Sequence, residues 1–263
     1  MTLRQKLKFW LYGSCPGFAG SFRYFGAQVH FPKNSLAFRE ACEQDVFEAA
    51  NVRLLLAFVR PGTWFFDVGA NIGLMSLPVL RYIPDCRVMS FEPSPNALPW
   101  LAQTIERSAY RDRWTLLPKA VGVMEGKTQF SLAAQQNSLY DGLKSTNRVE
   151  SVGQVEVEMT TLDKCWRDFG SPQVSVIKCD VEGAELEVLK GASACLASQR
   201  PHVILEWNQT NIQAYGHDAG ALLELAREFN YALHGVPSLV RIDSARELSL
   251  HMKTTESFLL APS

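Results

Sequence analysis

The chain has 263 residues, 47% of them hydrophobic, so it is long enough to bury a sizeable core. Its formal net charge of −1 at pH 7 provides no overall basic field that would attract nucleic acid. The six cysteines form no C-x-x-C pair, and the first residues lack the apolar core of a secretory signal. These features favour a cytoplasmic protein with reduced thiols and without stable membrane insertion.

Helical patterns and short apolar runs alternate along the chain. Helices are predicted at 39–59, 73–82, 95–107, 161–169, 182–198 and 219–230. Strands are predicted at 63–68, 87–92, 114–118, 174–180, 202–207, 231–236 and 256–261. This alternation predicts an α/β fold whose sheet is mostly parallel and covered by helices on both faces.

Two further segments have their own patterns. Residues 1–12 can form a short amphipathic helix, for which packing on the domain or peripheral membrane contact are the alternatives. The insert 127–159 alternates with period two on either side of a polar stretch, which predicts two strands flanking a long loop. Long loops in compact domains are often functional.

The turn after the first strand, "DVGANIG" at 67–73, favours a ligand with a positive end and no phosphate. A dinucleotide fold needs a middle glycine there so that the backbone can approach a pyrophosphate, and Asn71 occupies that position. Asp67 would repel a pyrophosphate but suits an ammonium group. We expect Gly69 to turn the chain beside Ala70, and Gly73 to allow close helix packing.

The second strand ends in Phe91-Glu92-Pro93, and Glu92 lies 23 positions after Gly69. An acid at this place accepts hydrogen bonds from both hydroxyls of a ribose. A ligand with a ribose, an amino-acid-like ammonium and no phosphate is S-adenosylmethionine (SAM). The sequence therefore predicts SAM as the cofactor.

Several motifs in order resemble the FkbM family of SAM-dependent methyltransferases. They are "FFDVGANIG" at 65–73, "FEPSP" at 91–95, "KAVG" at 119–122, "NSL" at 137–139, "TTLD" at 160–163 and "IKCDVEGAELEVLKGA" at 177–192. The resemblance implies a Rossmann-like class I methyltransferase fold, doubly wound, with an antiparallel last strand. It also implies O-methylation of a hydroxyl on a sugar, glycolipid or polyketide-like product.

By this resemblance, the glycine turn holds the methionine part of SAM and Glu92 holds the ribose. Ala120 and Val121 would lie near the adenine, at the end of the third strand. The methyltransferase domain would span 61–263, and residues 1–60 would form a helical extension that caps the substrate side.

Asp180 and Glu182 follow an apolar strand and open a helix, so they are expected above the ligand crevice. A hydroxyl acceptor needs a base, for which Asp180 is the first candidate and Glu182 the second. Alternatively, Asp180 takes no proton and only orients SAM or the substrate. Mg²⁺ held by these two acids is a further alternative, but no third hard ligand is identifiable, so no metal is predicted.

Weaker candidates lie farther along the chain. Glu206 ends the next strand at the same rim, and His217 can serve as a base if its loop folds back. His202 begins a strand, at the wrong end of the sheet. Asn137 and Ser138 in the long loop can line a pocket.

The leading hypothesis is a SAM-dependent O-methyltransferase with a small-molecule or glycosidic acceptor and no nucleic-acid partner. A nicotinamide-dependent oxidoreductase or epimerase is one alternative, which Asn71 and Asp67 oppose. A catalytically silent SAM-binding or partner-binding domain is the other. The sequence leaves the oligomeric state and the identity of the acceptor open.

Overall fold

The computed structural model describes residues 2–17, 20–146 and 148–263. Its α-helices are α1 Leu3–Ser14, α2 Leu36–Gln44, α3 Ala49–Phe58, α4 Ser76–Tyr82, α5 Leu98–Arg107, α6 Leu162–Asp168, α7 Glu185–Lys190, α8 Ser193–Gln199, α9 Gln209–Ala214, α10 Ala221–Glu228 and α11 Ala245–His251. Its strands are β1 Ser21–Tyr24, β2 Ala27–His30, β3 Trp64–Val68, β4 Arg87–Phe91, β5 Trp114–Leu117, β6 Ala120–Val121, β7 Gly126–Ala133, β8 Ser151–Thr160, β9 Val174–Cys179, β10 His202–Glu206, β11 Tyr231–Gly235, β12 Arg241–Ile242 and β13 Ser257–Pro262.

Eight strands form the central sheet in the order β12-β11-β13-β10-β9-β3-β4-β5. The neighbours from β10 to β5 are parallel, whereas β13 lies antiparallel between β10 and β11. The chain winds outward from β3 in one direction through β4 and β5, and from β9 in the other through β10. The predicted Rossmann-like fold with an inserted antiparallel last strand is confirmed, and the strand order reverses between β3 and β9.

Alternating side chains of the central strands bury both faces of the sheet. Phe66 of β3 and Ile177 of β9 pack on the face covered by α6, α7, α8 and α10. Phe65 and Val176, the preceding residues of the same strands, pack on the face covered by α2 to α5. Burial on both faces explains the continuous apolar runs in these strands.

Two helix predictions were wrong in extent, because the apolar periodicity continues across a break. The segment 39–59 is divided between α2 and α3, where Asp45 and Glu48 adopt left-handed backbone angles with φ of 60° and 44°. The segment 182–198 is divided between α7 and α8 at Gly191. A β-carbon on Gly191 would lie 2.1 Å from the carbonyl oxygen of Gly122, so the chain needs glycine at this approach.

The N-terminal 60 residues contain a structure that the sequence patterns did not predict. They hold α1, α2 and α3, and also the antiparallel hairpin β1–β2. Phe22 of this hairpin and Phe38 of α2 belong to the same core as β3, β4 and β9. The domain boundary near residue 60 stays a prediction.

The insert has the predicted form of two strands around a long loop. β7 and β8 pair antiparallel, and β6 joins β8 to make a separate three-stranded sheet. Between β7 and β8, residues Gln135–Tyr140 form 3-10 turns. This loop lies against the central sheet's carboxyl edge, where it meets the glycine turn.

Candidate active site

The glycine turn and the acidic segment meet where the strand order reverses. Gly69 follows β3 with φ of 77°, and Asp180 follows the adjacent strand β9. A β-carbon on Gly69 would lie 1.8 Å from the backbone oxygen of Asp180. Only glycine therefore fits this contact, which brings the two predicted parts of the site together.

Glu92 is fixed by the turn that it faces. Its Oε2 accepts a hydrogen bond from the backbone N–H of Asn71 at 2.7 Å, and Oε1 accepts one from the N–H of Ser94 at 2.8 Å. Asn71 has φ of 48°, and its side-chain Nδ2 donates to the backbone oxygen of Ser138 at 3.1 Å. Asparagine tolerates this left-handed geometry, and its amide ties the turn to the long loop.

A cavity that we call the Glu92 cavity opens beside these residues. It is narrow, about 50 Å³, and four residues of the long loop, Ser138, Leu139, Asp141 and Leu143, form part of its wall. Seven residues assigned to the cofactor from the sequence line it together with Glu182. These seven are Gly69, Asn71, Glu92, Pro93, Ala120, Val121 and Asp180.

Three other residues of the predicted cofactor set lie elsewhere. Ala70 lines the neighbouring cavity described below. Gly73 has φ of 87° and packs against Trp114, whose ring would lie 2.8 Å from an added β-carbon. Asp67 is fully buried behind the turn and accepts a hydrogen bond from Ser76 at 2.6 Å. The expected direct contact between Asp67 and a ligand ammonium is therefore corrected, since Asp67 lies outside the walls of both cavities.

The long loop is held down by a second set of hydrogen bonds. Asp141 Oδ2 accepts hydrogen bonds from Ser94 Oγ and from Asn96 Nδ2, the latter at 3.0 Å. Its Oδ1 accepts one from the backbone N–H of Ala133 at 2.7 Å. Burial raises the pKa of Asp141, while these three donors lower it. The loop is thus bound both to the glycine turn and to the segment that follows Glu92.

A second chamber, which we call the acidic cavity, adjoins the first. Its volume is about 260 Å³, and its walls carry more acids than bases. The acids are Glu40, Glu48, Asp180, Glu182, Glu206 and Glu256, and the bases are Arg148 and Lys178. Asp180 lines both chambers, so it stands at the passage between them.

Lys178 is a buried cation beneath this passage. Its Nζ lies 3.1 Å from Asp180 Oδ2 and donates to the backbone oxygen of Gly69 at 3.2 Å. Burial alone would lower the pKa of Lys178, but the carboxylates of Asp180, Asp67 and Glu48 raise it above its usual value. Lys178 therefore remains charged and fixes the carboxylate of Asp180 against the glycine turn.

Arg148 of the long loop reaches into the acidic cavity. Its guanidinium lies 3.2 Å from Glu206 Oε1 and 3.7 Å from Glu182 Oε2. It also lies 3.4 Å from Glu256 Oε2 and over the ring of Tyr140, 5.0 Å from the centroid. One arginine thus faces three carboxylates in this chamber.

Burial, together with crowded negative charge, raises the pKa of several acids in this chamber. For Glu182 and Glu206 burial is the main cause, Asp180 adds to it, and Arg148 opposes it. For Glu48 burial and then Asp180 raise the pKa to about 7. Clusters of buried acids with raised pKa values are typical of functional sites.

His217 lies outside both cavities, and its assignment as a catalytic base is corrected. Its Nε2 lies 3.1 Å from Glu187 Oε1 on α7, and its ring stacks near Tyr215. The loop packs against the outer side of α7, so it does not fold back over the crevice. His202 stacks on Phe58 at a centroid distance of 3.9 Å, in the expected structural role at the far end of the sheet.

Two motifs of the family pattern prove to be capping devices. Glu185 is buried and accepts hydrogen bonds from the N–H groups of Val181 and Gly183 at 3.0 and 3.2 Å. Asp163 of "TTLD" accepts hydrogen bonds from the N–H groups of Ala194 and Cys195, both at 2.8 Å, in the first turn of α8. Their charges thus satisfy backbone donors at helix starts.

Sequence reasoning missed Arg148, Glu48 and the full role of Lys178. Lys178 had a signal, because a lysine inside an apolar strand needs a buried counter-ion and Asp180 stands two positions on. Arg148 and Glu48 had no such signal in the sequence. Arg148 lies in an aperiodic loop, and Glu48 lies at an unpredicted helix break. Glu206 was expected at the rim and lies there.

The sheet order and the cleft at its switch point define a Rossmann-like methyltransferase fold. A model of the methyltransferase FkbM domain matches residues 67–233, which is more than half of the chain. The chain therefore belongs to the FkbM methyltransferase family, and its resemblance to that family is confirmed.

Two curated relatives and one solved structure illustrate the similarity. A hexuronic acid methyltransferase from Haloferax volcanii is 29% identical over 59% of this chain and 59% of its own, so the chain spans about three fifths of that relative. A 2-O-methyltransferase from Sinorhizobium fredii is 24% identical over 65% of this chain and 73% of its own. A methyltransferase FkbM structure from Methylobacillus flagellatus covers 85% of this chain and 54% of its own, with 14% identity and a TM-score of 0.48.

Within the part of the chain that the structure describes, no helix is both long enough and apolar enough to cross a bilayer.

Proposed function

We propose that the protein transfers a methyl group from SAM to a hydroxyl of a small, polyhydroxylated acceptor. One observation carries the proposal: Asp180 forms part of the wall of both the Glu92 cavity and the acidic cavity. A methyl donor in the first chamber and an acceptor in the second would meet at this residue. Such alignment of two reactants supplies much of the acceleration in a transfer reaction.

The Glu92 cavity has the chemistry that SAM requires. Glu92 would accept from the ribose hydroxyls with the lone pairs that its two backbone contacts leave free. Ala120 and Val121 provide an apolar wall for the adenine. Gly69 lets the backbone approach the methionine part. SAM is larger than this narrow cavity, so the loop residues in its wall would move aside to admit the cofactor.

Bound SAM supplies an electrophilic methyl group on a sulfonium. The chain's own residues then orient the acceptor and take its proton. Asp180, held by Lys178, is placed to accept a hydrogen bond from the acceptor hydroxyl and to act as the base. Glu182 lines both chambers and is the alternative base. The low exposure of Glu182 would strengthen its effect on a developing charge.

The acidic cavity favours a neutral acceptor that is rich in hydroxyls, because carboxylates accept hydrogen bonds from hydroxyl pairs and repel anions. The Sinorhizobium relative is named as a 2-O-methyltransferase, which supports a hydroxyl as the methylated group. The Haloferax relative is named for hexuronic acid, which supports a glycosidic acceptor. For this chain, the excess of acids on the wall favours neutral glycosides over uronates.

Two measurements test the proposal. Calorimetry should detect binding of SAM and not of NADH; tight NADH binding without SAM binding would refute it. Transfer of labelled methyl from SAM should then be measured on a panel of neutral glycosides, uronates and polyketide alcohols.

Variants of the wall test the role of Asp180. Asp180→Asn should lower turnover by about 100-fold or more, as expected for loss of a general base. The control Glu156→Gln removes an exposed carboxylate that pairs with Lys127 on the insert, and should leave turnover unchanged. Equal turnover of both variants would remove Asp180 as the base. Binding of SAM without transfer to any acceptor would favour a silent binding domain.

A further inference from the structure

Three carboxylates converge at the rim of the sheet where the two chambers join. One oxygen from each of Asp180, Glu182 and Glu206 lies within 4.8 Å of the other two. They come from three places in the chain: the end of β9, the turn before α7 and the end of β10. Glu206 provides the third hard ligand that the sequence alone did not identify.

Protein cations balance this cluster only in part. Lys178 pairs with Asp180, and Arg148 is shared between Glu182, Glu206 and Glu256. The side chain of Glu182 is only 6% exposed, so its charge is little screened by water. Like charges this close and this buried are costly unless the carboxylates are protonated or a further cation joins them.

Within the described residues, one buried oxygen of the cluster has no hydrogen-bond partner. It is Oε2 of Glu182, whose nearest cation is Arg148 at 3.7 Å. Buried polar atoms nearly always have partners, so this oxygen points to a missing ligand at this place. The buried amide of Asn211 borders the cluster, where its Nδ2 donates to Glu206 Oε2 at 2.9 Å. Rotation of this amide would exchange that hydrogen bond for an oxygen that faces the cluster.

We propose that Asp180, Glu182 and Glu206 bind a divalent cation of the Mg²⁺ or Mn²⁺ class. Such ions prefer oxygen ligands and are commonly held by a few carboxylates, with waters or substrate oxygens completing the shell. The site's existence does not depend on the reaction. Its use rests on the proposed function: the ion would bind and acidify the acceptor hydroxyl beside Asp180.

Titration of the metal-free protein with Mn²⁺ tests the site, with electron paramagnetic resonance used to measure free Mn²⁺. The wild type should bind one ion, and its Tm should rise by about 5–10 °C at a hundredfold excess over Kd. Glu206→Gln should weaken binding at least about tenfold, as expected for a lost ligand. Glu156→Gln, which removes one exposed carboxylate elsewhere, should bind as the wild type does. No binding by the wild type, or equal binding by the two variants, would overturn the proposal.

Arg148→Met distinguishes an ion site from a cluster that Arg148 alone neutralises. Removal of the nearby positive charge should tighten Mn²⁺ binding, and Mn²⁺ should restore the Tm that this variant loses. Loss of Tm that Mn²⁺ fails to restore would contradict the proposal. Neither readout needs SAM or an acceptor, so failure of the ion site is distinguishable from failure of the proposed methyl transfer.

A second feature, separate from the active site, is an apolar stripe on α1. Leu3, Leu7 and Trp10 follow one another at four- and three-residue spacing and are 85%, 60% and 55% exposed. The other side of the helix packs on the protein, where Phe9 stacks on Phe38 at 5.8 Å. The outward stripe therefore lacks a partner among the described residues.

Basic residues flank this stripe. Arg4 and Lys6 are exposed on α1, and the helix contains no acid. Apolar residues in the centre with cations at the border suit the boundary between headgroups and acyl chains of an anionic bilayer. We infer that α1 binds the surface of membranes containing anionic phospholipid, with its axis parallel to the bilayer.

Sedimentation with lipid vesicles tests this inference. The protein should sediment with vesicles of phosphatidylcholine and phosphatidylglycerol, less with phosphatidylcholine alone, and less at high salt. The double variant Leu7→Ser, Trp10→Ser should lose most of this binding. The control Leu250→Ser, at a position on α11 that is 54% exposed, should retain it. Equal binding to both vesicle types, or by both variants, would refute the inference.

Discussion

Gly69→Ala should destabilise the protein far more than the same substitution at a comparable turn. Gly69 has φ of 77°, a conformation that costs an L-residue about 1–2 kcal/mol. Its new β-carbon would also lie 1.8 Å from the backbone oxygen of Asp180, so the ends of β3 and β9 would have to separate. Overpacking of this kind typically costs about 1–3 kcal/mol more.

Gly62→Ala supplies the matched control. Gly62 has φ of 74°, but nothing lies within 4 Å of an added β-carbon. Its substitution should therefore cost only the backbone part, about 1–2 kcal/mol, or about 2–8 °C in Tm. Gly69→Ala should cost about 2–5 kcal/mol, or about 4–20 °C.

Thermal and urea unfolding of both variants measure the difference. Binding of SAM should also be lost in Gly69→Ala and retained in Gly62→Ala, because only the first disturbs the passage between the chambers. If the two variants lose the same free energy of unfolding, the close approach of β3 to β9 does not constrain the site, which would refute this prediction.

Four other predictions follow from buried acids. Glu92→Gln replaces a charged hydrogen-bond acceptor by an amide, so the affinity for SAM, measured by calorimetry, should fall by about 10- to 150-fold. An unchanged Kd would exclude Glu92 from the ribose site. Burial raises the pKa of Glu92 to about 7, so the carboxylate forms as pH rises through that value and SAM affinity should increase with it; a flat profile would contradict this. Burial also raises the pKa of Glu48 and Glu185 to about 7. Because these raised pKa values favour the protonated folded state, the free energy of unfolding without ligand should decrease as pH rises from about 5 to about 8. A urea midpoint that rises over this range would contradict the assignment. Asp163→Ala leaves two N–H groups of α8 without acceptors and should cost about 1–3 kcal/mol in urea unfolding, with a wild-type midpoint as the contrary result.

The central sheet was predictable because its signals are local. Strands β3, β4, β9 and β10 are continuous apolar runs, and polar or glycine residues mark where each one ends. The insert was predictable from the change to period two in β7 and β8. These patterns directly reflect burial, which the sequence encodes residue by residue.

The helix breaks and the loop were less predictable because their causes are contacts distant in sequence. Gly191 breaks a helix where it approaches Gly122, and nothing in the local periodicity reports that contact. Asp45 and Glu48 adopt left-handed angles without a glycine or proline to mark the break.

The candidate site likewise contains residues that the sequence located and residues that it did not. Gly69, Glu92 and Asp180 lie at strand ends, which the sequence located, and all three line the Glu92 cavity. Arg148 comes from a loop without a period, so its place among the acids follows only from the folded chain. His217 was misplaced because the direction in which its loop packs depends on Glu187 of α7.

The long loop forms part of the walls of both cavities. Leu139 lines both, Ser138 and Asp141 line the Glu92 cavity, and Arg148 lines the acidic cavity. If SAM binds in the Glu92 cavity as proposed, the loop would have to move before SAM could enter or its product could leave. Turnover should then be limited by this loop movement rather than by methyl transfer, and it should slow as solvent viscosity increases.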